Sequence, residues 1–174
     1  ATATNEVNAQ FRRDIEGWSK ITRKLYIWDY TTNFRHFLMP HPNLDVLVPN
    51  IKFFADHRAS GVFEQGAHTG RAAEFTPLRM WVLAKALWNP DADGQALIRE
   101  FLDGYYGPAA DAVREYVNII HQLGRQEDFV MRINRYLDAP YLAPEIIARA
   151  EVALREAETD AAGDPVLERR VRHA

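Results

Sequence analysis

The sequence contains no cysteine, which excludes thiol nucleophiles, disulfides and cysteine-ligated zinc. It has two serines, Ser19 and Ser60, and neither lies in the Gly-x-Ser-x-Gly turn of a serine hydrolase. A phosphate-cradling glycine pattern is also missing. The six histidines include no His-Glu-x-x-His pair, and His36 and His41 fall in a segment broken by Pro40 and Pro42. These histidines read as surface or loop residues, and neither a metal nor a cofactor is expected. Positive charge is short as well: 21 Lys and Arg stand against 24 Asp and Glu, a formal net charge of -3. Apart from Arg169, Arg170 and Arg172 the basic residues are scattered, which argues against nucleic-acid binding. No apolar run reaches membrane-spanning length, so no membrane partner is expected. The opening ATATNEVNAQF has neither the basic start nor the apolar core of a signal peptide. The expectation is either a cytoplasmic protein or an internal piece of a longer one, and the order of elements favours the second.

What remains is ordinary for a globular domain: 174 residues, 47% hydrophobic and 26% charged. A helix is expected from about Asn5 to Ser19, with Phe11, Ile15 and Trp18 on one face. A strand around Leu25 to Tyr30 follows, and Asn43 then suits the N-cap of a helix over roughly Leu44 to His57. Pro49 predicts a kink or a later start there. GVFEQG reads as a short strand with Val62 and Phe63 buried. Thr76 and Pro77 open the helix PLRMWVLAKALW, apolar nearly all round except at Arg79 and Lys85, and thus expected to be covered on most sides. Beyond it the chain reads as helix alone: about Gly94 to Tyr106, Pro108 to Gly124, a weaker piece around Phe129 to Leu137, Pro144 to about Glu158, and a last helix after Asp164. Val113, Tyr116, Val117 and Ile120 form the expected core stripe of the second of these.

An α-β-α-β-α order followed by helices predicts an α/β fold, mostly α by residue count. Parallel strands need both faces covered and neighbours on each edge. Residues 1–90 are therefore expected to be the last two βα units of an eight-stranded TIM barrel, and residues 91–174 a C-terminal helical region. A small open α/β domain, or a helical domain with a stray ribbon, is the alternative. In a barrel, Asp29 and Glu64 would stand at neighbouring strand ends on the active face. Trp28, Tyr30, Phe34 and Phe63 would supply aromatic surface around them. Carboxylates beside flat rings suit a sugar, polar round its edge and apolar on its faces.

The segments WDYTTNF, PNL with NIKFF, GVFEQG, LRMWVLAKALWNP and EFLDGYYGPAA resemble the bacterial domain of unknown function 4838. That group includes the endo-β-N-acetylglucosaminidases of glycoside hydrolase family 163 and is broadly similar to hexosaminidases and α-glucuronidases. The resemblance implies a TIM-barrel glycosidase core with C-terminal helices, acting on glycans that contain N-acetylhexosamine or uronic acid, and slightly favours export. It also implies that the general acid comes from a middle strand upstream, so the isolated chain is expected to be inactive. Substrate contact is what it implies for Glu64 and Asp29.

Several readings stay open. The two carboxylates could form a retaining pair, which needs about 5 to 5.5 Å between them. Asp29 could instead organise its loop by accepting backbone N–H bonds from Thr31 and Thr32. Gln65 either alternates to the far face or bends inward, and His68 is a further candidate substrate contact. Taken together, the substrate-binding candidates are Asp29, Glu64, Trp28, Tyr30, Gln65 and His68, with carbohydrate as the partner. The alternative function is a non-catalytic glycan-binding or helical interaction module. Association through unpaired strand edges is expected if the chain is expressed alone.

Overall fold

A computed structural model describes residues 5–69, 73–126 and 129–174 of the chain. Seven α-helices are seen among them: α1 (Ala9–Ile21), α2 (Leu44–Asp56), α3 (Thr76–Trp88), α4 (Gly94–Tyr106), α5 (Ala110–His121), α6 (Pro144–Asp160) and α7 (Pro165–Val171). Two strands, β1 (Leu25–Tyr30) and β2 (Ala59–Gln65), pair in parallel across α2. Residues 70–72, between GVFEQG and Thr76, and residues 127–128, just before the piece expected around Phe129 to Leu137, lie outside the described residues.

The barrel expectation is overturned. Among the described residues there is one two-stranded sheet, and helices take up 61% of those residues. The stability that barrel neighbours would give the strands comes here from helices. One apolar cluster runs from Ile15 and Ile27 through α2, α3, α4 and α5 to Ala157 and Val171. Ala150, Ala153 and Ala157 of α6, with Ala161 just beyond it, are all buried, which brings its backbone close to α5.

Local signals explain some of the helix ends. Asp93 caps α4 by accepting from the backbone N–H groups of Gln95 and Ala96, and Asp164 does the same for α7 through Val166 and Leu167. Gly107 stops α4 at φ 52°, a conformation that suits glycine. Gly124 lies where a Cβ would come within 2.5 Å of the Pro42 carbonyl oxygen, so α5 ends pressed against the loop that precedes α2.

Other expectations need correction. Pro49 neither delays nor ends α2, which begins at Leu44 and carries the proline inside. Phe63 faces outward instead of joining the core, because β2 has only one covered face. In α3 the apolar belt is not covered on most sides: Met80, Leu87 and Trp88 are exposed, Trp88 at 92%, whereas Arg79 is 4% exposed. Residues 129–139 form turns and irregular backbone instead of a helix. They are held by the loop after β1, where Asn33 donates to the Arg135 carbonyl at 2.9 Å and Phe34 N–H donates to Ile133. His121, expected at the surface or in a loop, is buried at the end of α5, and His41, in a loop as expected, is buried as well.

Candidate functional site

The alternation of a strand assigns the side chains of β1 to two faces. Ile27 and Asp29 turn toward the helices, while Tyr26, Trp28 and Tyr30 turn outward. In the parallel register Trp28 pairs with Phe63, Asp29 with Glu64, and Tyr30 with Gln65. Asp29 and Glu64 are therefore neighbours on the covered face. Trp28 and Phe63 meet edge to face on the other, with centroids 5.0 Å apart. Gln65 alternates to that outer face, where its Oε1 accepts from the Trp28 indole N–H at 2.7 Å. Asp29 binds the backbone N–H of Tyr30 at 2.8 Å, one residue on. The Thr31 N–H, which an Asx turn would use, donates to the Gln65 carbonyl and extends the sheet by one bond.

Although adjacent, the two carboxylates open onto different cavities. Asp29 lines a cavity of about 250 Å³ with Tyr30, His41, Asn43, Asn50, Phe54, Val130, Met131 and Ile133. Glu64 lines one of about 230 Å³ with Thr31, Thr32, Ala67, Glu74, Arg79 and Leu83. There are thus two chambers beside one carboxylate pair. A buried network joins their linings. Arg79 pairs with Glu74, donates to the Asn43 side chain, and reaches the His41 carbonyl at 3.4 Å; Asn43 in turn donates to the Thr31 carbonyl at 3.2 Å. Of the other candidates, Tyr30 borders the first cavity and Trp28 stands apart on the outer face. His68 stacks on Phe34 at 5.9 Å and meets Phe37 edge-on at 5.4 Å, away from the carboxylates.

Burial governs the ionisation here. Desolvation, together with the neighbouring Asp29 charge, pushes the Glu64 carboxyl up to about 8, with no cation or donor to offset it. Desolvation also raises Asp29, and the Tyr30 N–H pulls the other way. His41 is held neutral, its pKa lowered to about 3 by burial and then by the Arg79 charge. Burial thus favours the neutral form at both carboxyls, more so at Glu64, and a neutral carboxyl can donate as well as accept. A contrasting acid, Asp45, sits near α5: burial opposes its ionisation, but His121 and Arg125 more than compensate and hold it well below the usual carboxylate range. His121 Nδ1 lies 3.8 Å from the Asp45 carboxyl, and Arg125 bonds it directly at 2.8 Å.

Sequence reasoning missed Glu74, Arg79, His41, Asn43 and the Thr31–Thr32 pair as site groups. One signal was available: an arginine on an otherwise apolar helix face, five residues after a glutamate. Buried arginine is rare without a partner. No grouping of three metal-ligating side chains occurs among the described residues. No curated protein and no solved structure matches the chain. The model of the domain of unknown function DUF4838 matches residues 1–118, a span that takes in both strands, the Glu64 cavity and the Arg79 network, and the chain belongs to that family.

Proposed function

We propose that the chain supplies substrate contacts in a glycoside-hydrolase-like protein that acts on or binds glycans. The observation that carries this reading is the placement of Asp29 and Glu64 as register partners on the covered face, each opening into a cavity and neither neutralised by a cation. A sugar ring presents hydroxyls that both donate and accept. Glu64 in one cavity and Asp29 in the other offer hydrogen-bonding carboxyls to neighbouring units of an oligomer, and Tyr30 borders the first cavity. In this reading the two carboxyls hold the ligand, and the proton for the leaving group comes from elsewhere in the protein.

Calorimetry with N-acetylglucosamine oligomers tests the reading. Glu64→Ala should weaken binding about fivefold, the loss of one hydrogen bond of about 1 kcal/mol. Binding unchanged in both Glu64→Ala and Asp29→Asn would refute it. The chain is also expected not to hydrolyse aryl N-acetylglucosaminides or glucuronides. Turnover that vanishes in Glu64→Gln would instead make Glu64 and Asp29 an acid and nucleophile pair. A second reading, a non-catalytic glycan-binding or interaction module, is favoured by the outer sheet face. There Tyr26, Trp28 and Phe63 are exposed, at 70%, 64% and 55%.

A further inference from the structure

The cavity beside Glu64 holds polar groups that the carboxylate pair does not use. Glu74 and Arg79 are 5% and 4% exposed and Thr32 1%, and all three line it. Arg79 spends its two terminal nitrogens on Glu74, Asn43 and the His41 carbonyl. Its Nε, the second Glu74 oxygen Oε1 and the Thr32 hydroxyl are buried and find no partner among the described residues. An unmade bond at a buried donor or acceptor costs about 1–3 kcal/mol, and folded proteins rarely leave several together. A donor, an acceptor and a hydroxyl able to be either, set against the apolar walls of Ala73, Met80 and Leu83, form a matched set. Such a set suits a group that brings both a donor and an acceptor on a small apolar frame.

We infer that this cavity is a specificity pocket for an uncharged sugar unit, bonded by Arg79, Glu74 and Thr32 and closed to uronic acids. The inference rests on the glycan reading of Asp29 and Glu64. Charge balance supplies the selectivity. The Arg79 charge is already matched by Glu74, so an entering carboxylate would lose its hydration, gain no free cation, and lie near the Glu74 and Glu64 carboxyls. A hydroxyl or amide group pays far less for desolvation and satisfies the waiting atoms. At about 230 Å³ the space takes a ring substituent with part of its ring.

The test uses the full chain at pH 7 and fixed ionic strength, following the Arg79 Nε resonance by NMR during titration with N-acetylglucosamine, glucose and glucuronate. The neutral sugars should shift that resonance saturably, with glucuronate at least tenfold weaker. Thr32→Val should weaken the neutral sugars fivefold or more while leaving the unfolding midpoint near that of the wild type, since the hydroxyl it removes has no partner to lose. Glucuronate binding as tightly as the neutral sugars would overturn the pocket. So would sugar binding that leaves Arg79 Nε unmoved and ignores Thr32→Val; in that case weakening by Asp29→Asn would keep the glycan reading standing. If none of the three sugars perturbs Asp29, Glu64 or Arg79, both readings fall together.

Discussion

Glu64 is the residue whose surroundings ask most of its chemistry. An exposed glutamate ionises near 4.5, and burial beside Asp29 moves this one to about 8. The folded state therefore holds a proton that the unfolded chain releases, and stability falls as pH rises from 4.5 through 8. His41 acts with the opposite sign below 6.5, because the folded protein keeps it neutral while the unfolded chain takes up a proton. Asp45, held ionised by Arg125 and His121, contributes stability that is lost as pH falls below about 4. Among these shifted groups Glu64 alone titrates between 6.5 and 8. Urea unfolding in that window should show a stability loss of about 1–2 kcal/mol, allowing for partial solvent screening. Glu64→Gln should flatten the slope. A slope that persists unchanged in the variant would assign the proton to another group.

At the scale of elements, the Arg79–Glu74 pair ties the start of α3 to the segment before it and, through Asn43, to the start of α2. Replacing Arg79 by Met leaves Glu74 buried and uncompensated, so the expected cost is about 3–5 kcal/mol, read from chemical denaturation. The double variant Glu74→Gln with Arg79→Met should recover more than half of that loss. Additive losses instead would show that the pair is not coupled. The same helix shows where the sequence was legible and where it was not. Its ends near Pro77 and Trp88, the Asp93 cap and the Val113 to Ile120 stripe follow from local rules that a sequence states directly. Which side of α3 is buried does not, because nearly every position is apolar and the deciding partner, Glu74, acts through tertiary contact. Alternation likewise placed Asp29 opposite Trp28 and Tyr30. The division of the two acids between separate cavities depends on Arg79 and Asn43 meeting across elements distant in sequence.

At the scale of the whole molecule, the strands are covered on one face by helices and bare on the other. βα alternation suggested a barrel because two parallel strands satisfy few of their own edges, yet length and order alone could not say what covers them. The larger apolar cluster, drawn from α1 to α7, shows that helices carry the core. The outward Tyr26, Trp28 and Phe63 leave apolar surface next to open strand edges, a combination that promotes association. Sedimentation velocity should show concentration-dependent self-association that Trp28→Ser with Phe63→Ser reduces at least severalfold. A monomer at every concentration would remove the sheet face from consideration as a contact surface.

The covered face and the bare face also make rival claims on a glycan, and a single titration separates them. The side-chain carboxyl carbons of Asp29 and Glu64 and the Trp28 indole N–H are followed together by NMR as N-acetylglucosamine oligomer is added at pH 7. Binding through the carboxylate pair moves the Asp29 and Glu64 signals on one saturation curve and leaves the indole, already bonded to Gln65, in place. Saturable movement of the Trp28 signal with both carboxyl carbons still would contradict that reading and put the glycan on the aromatic face.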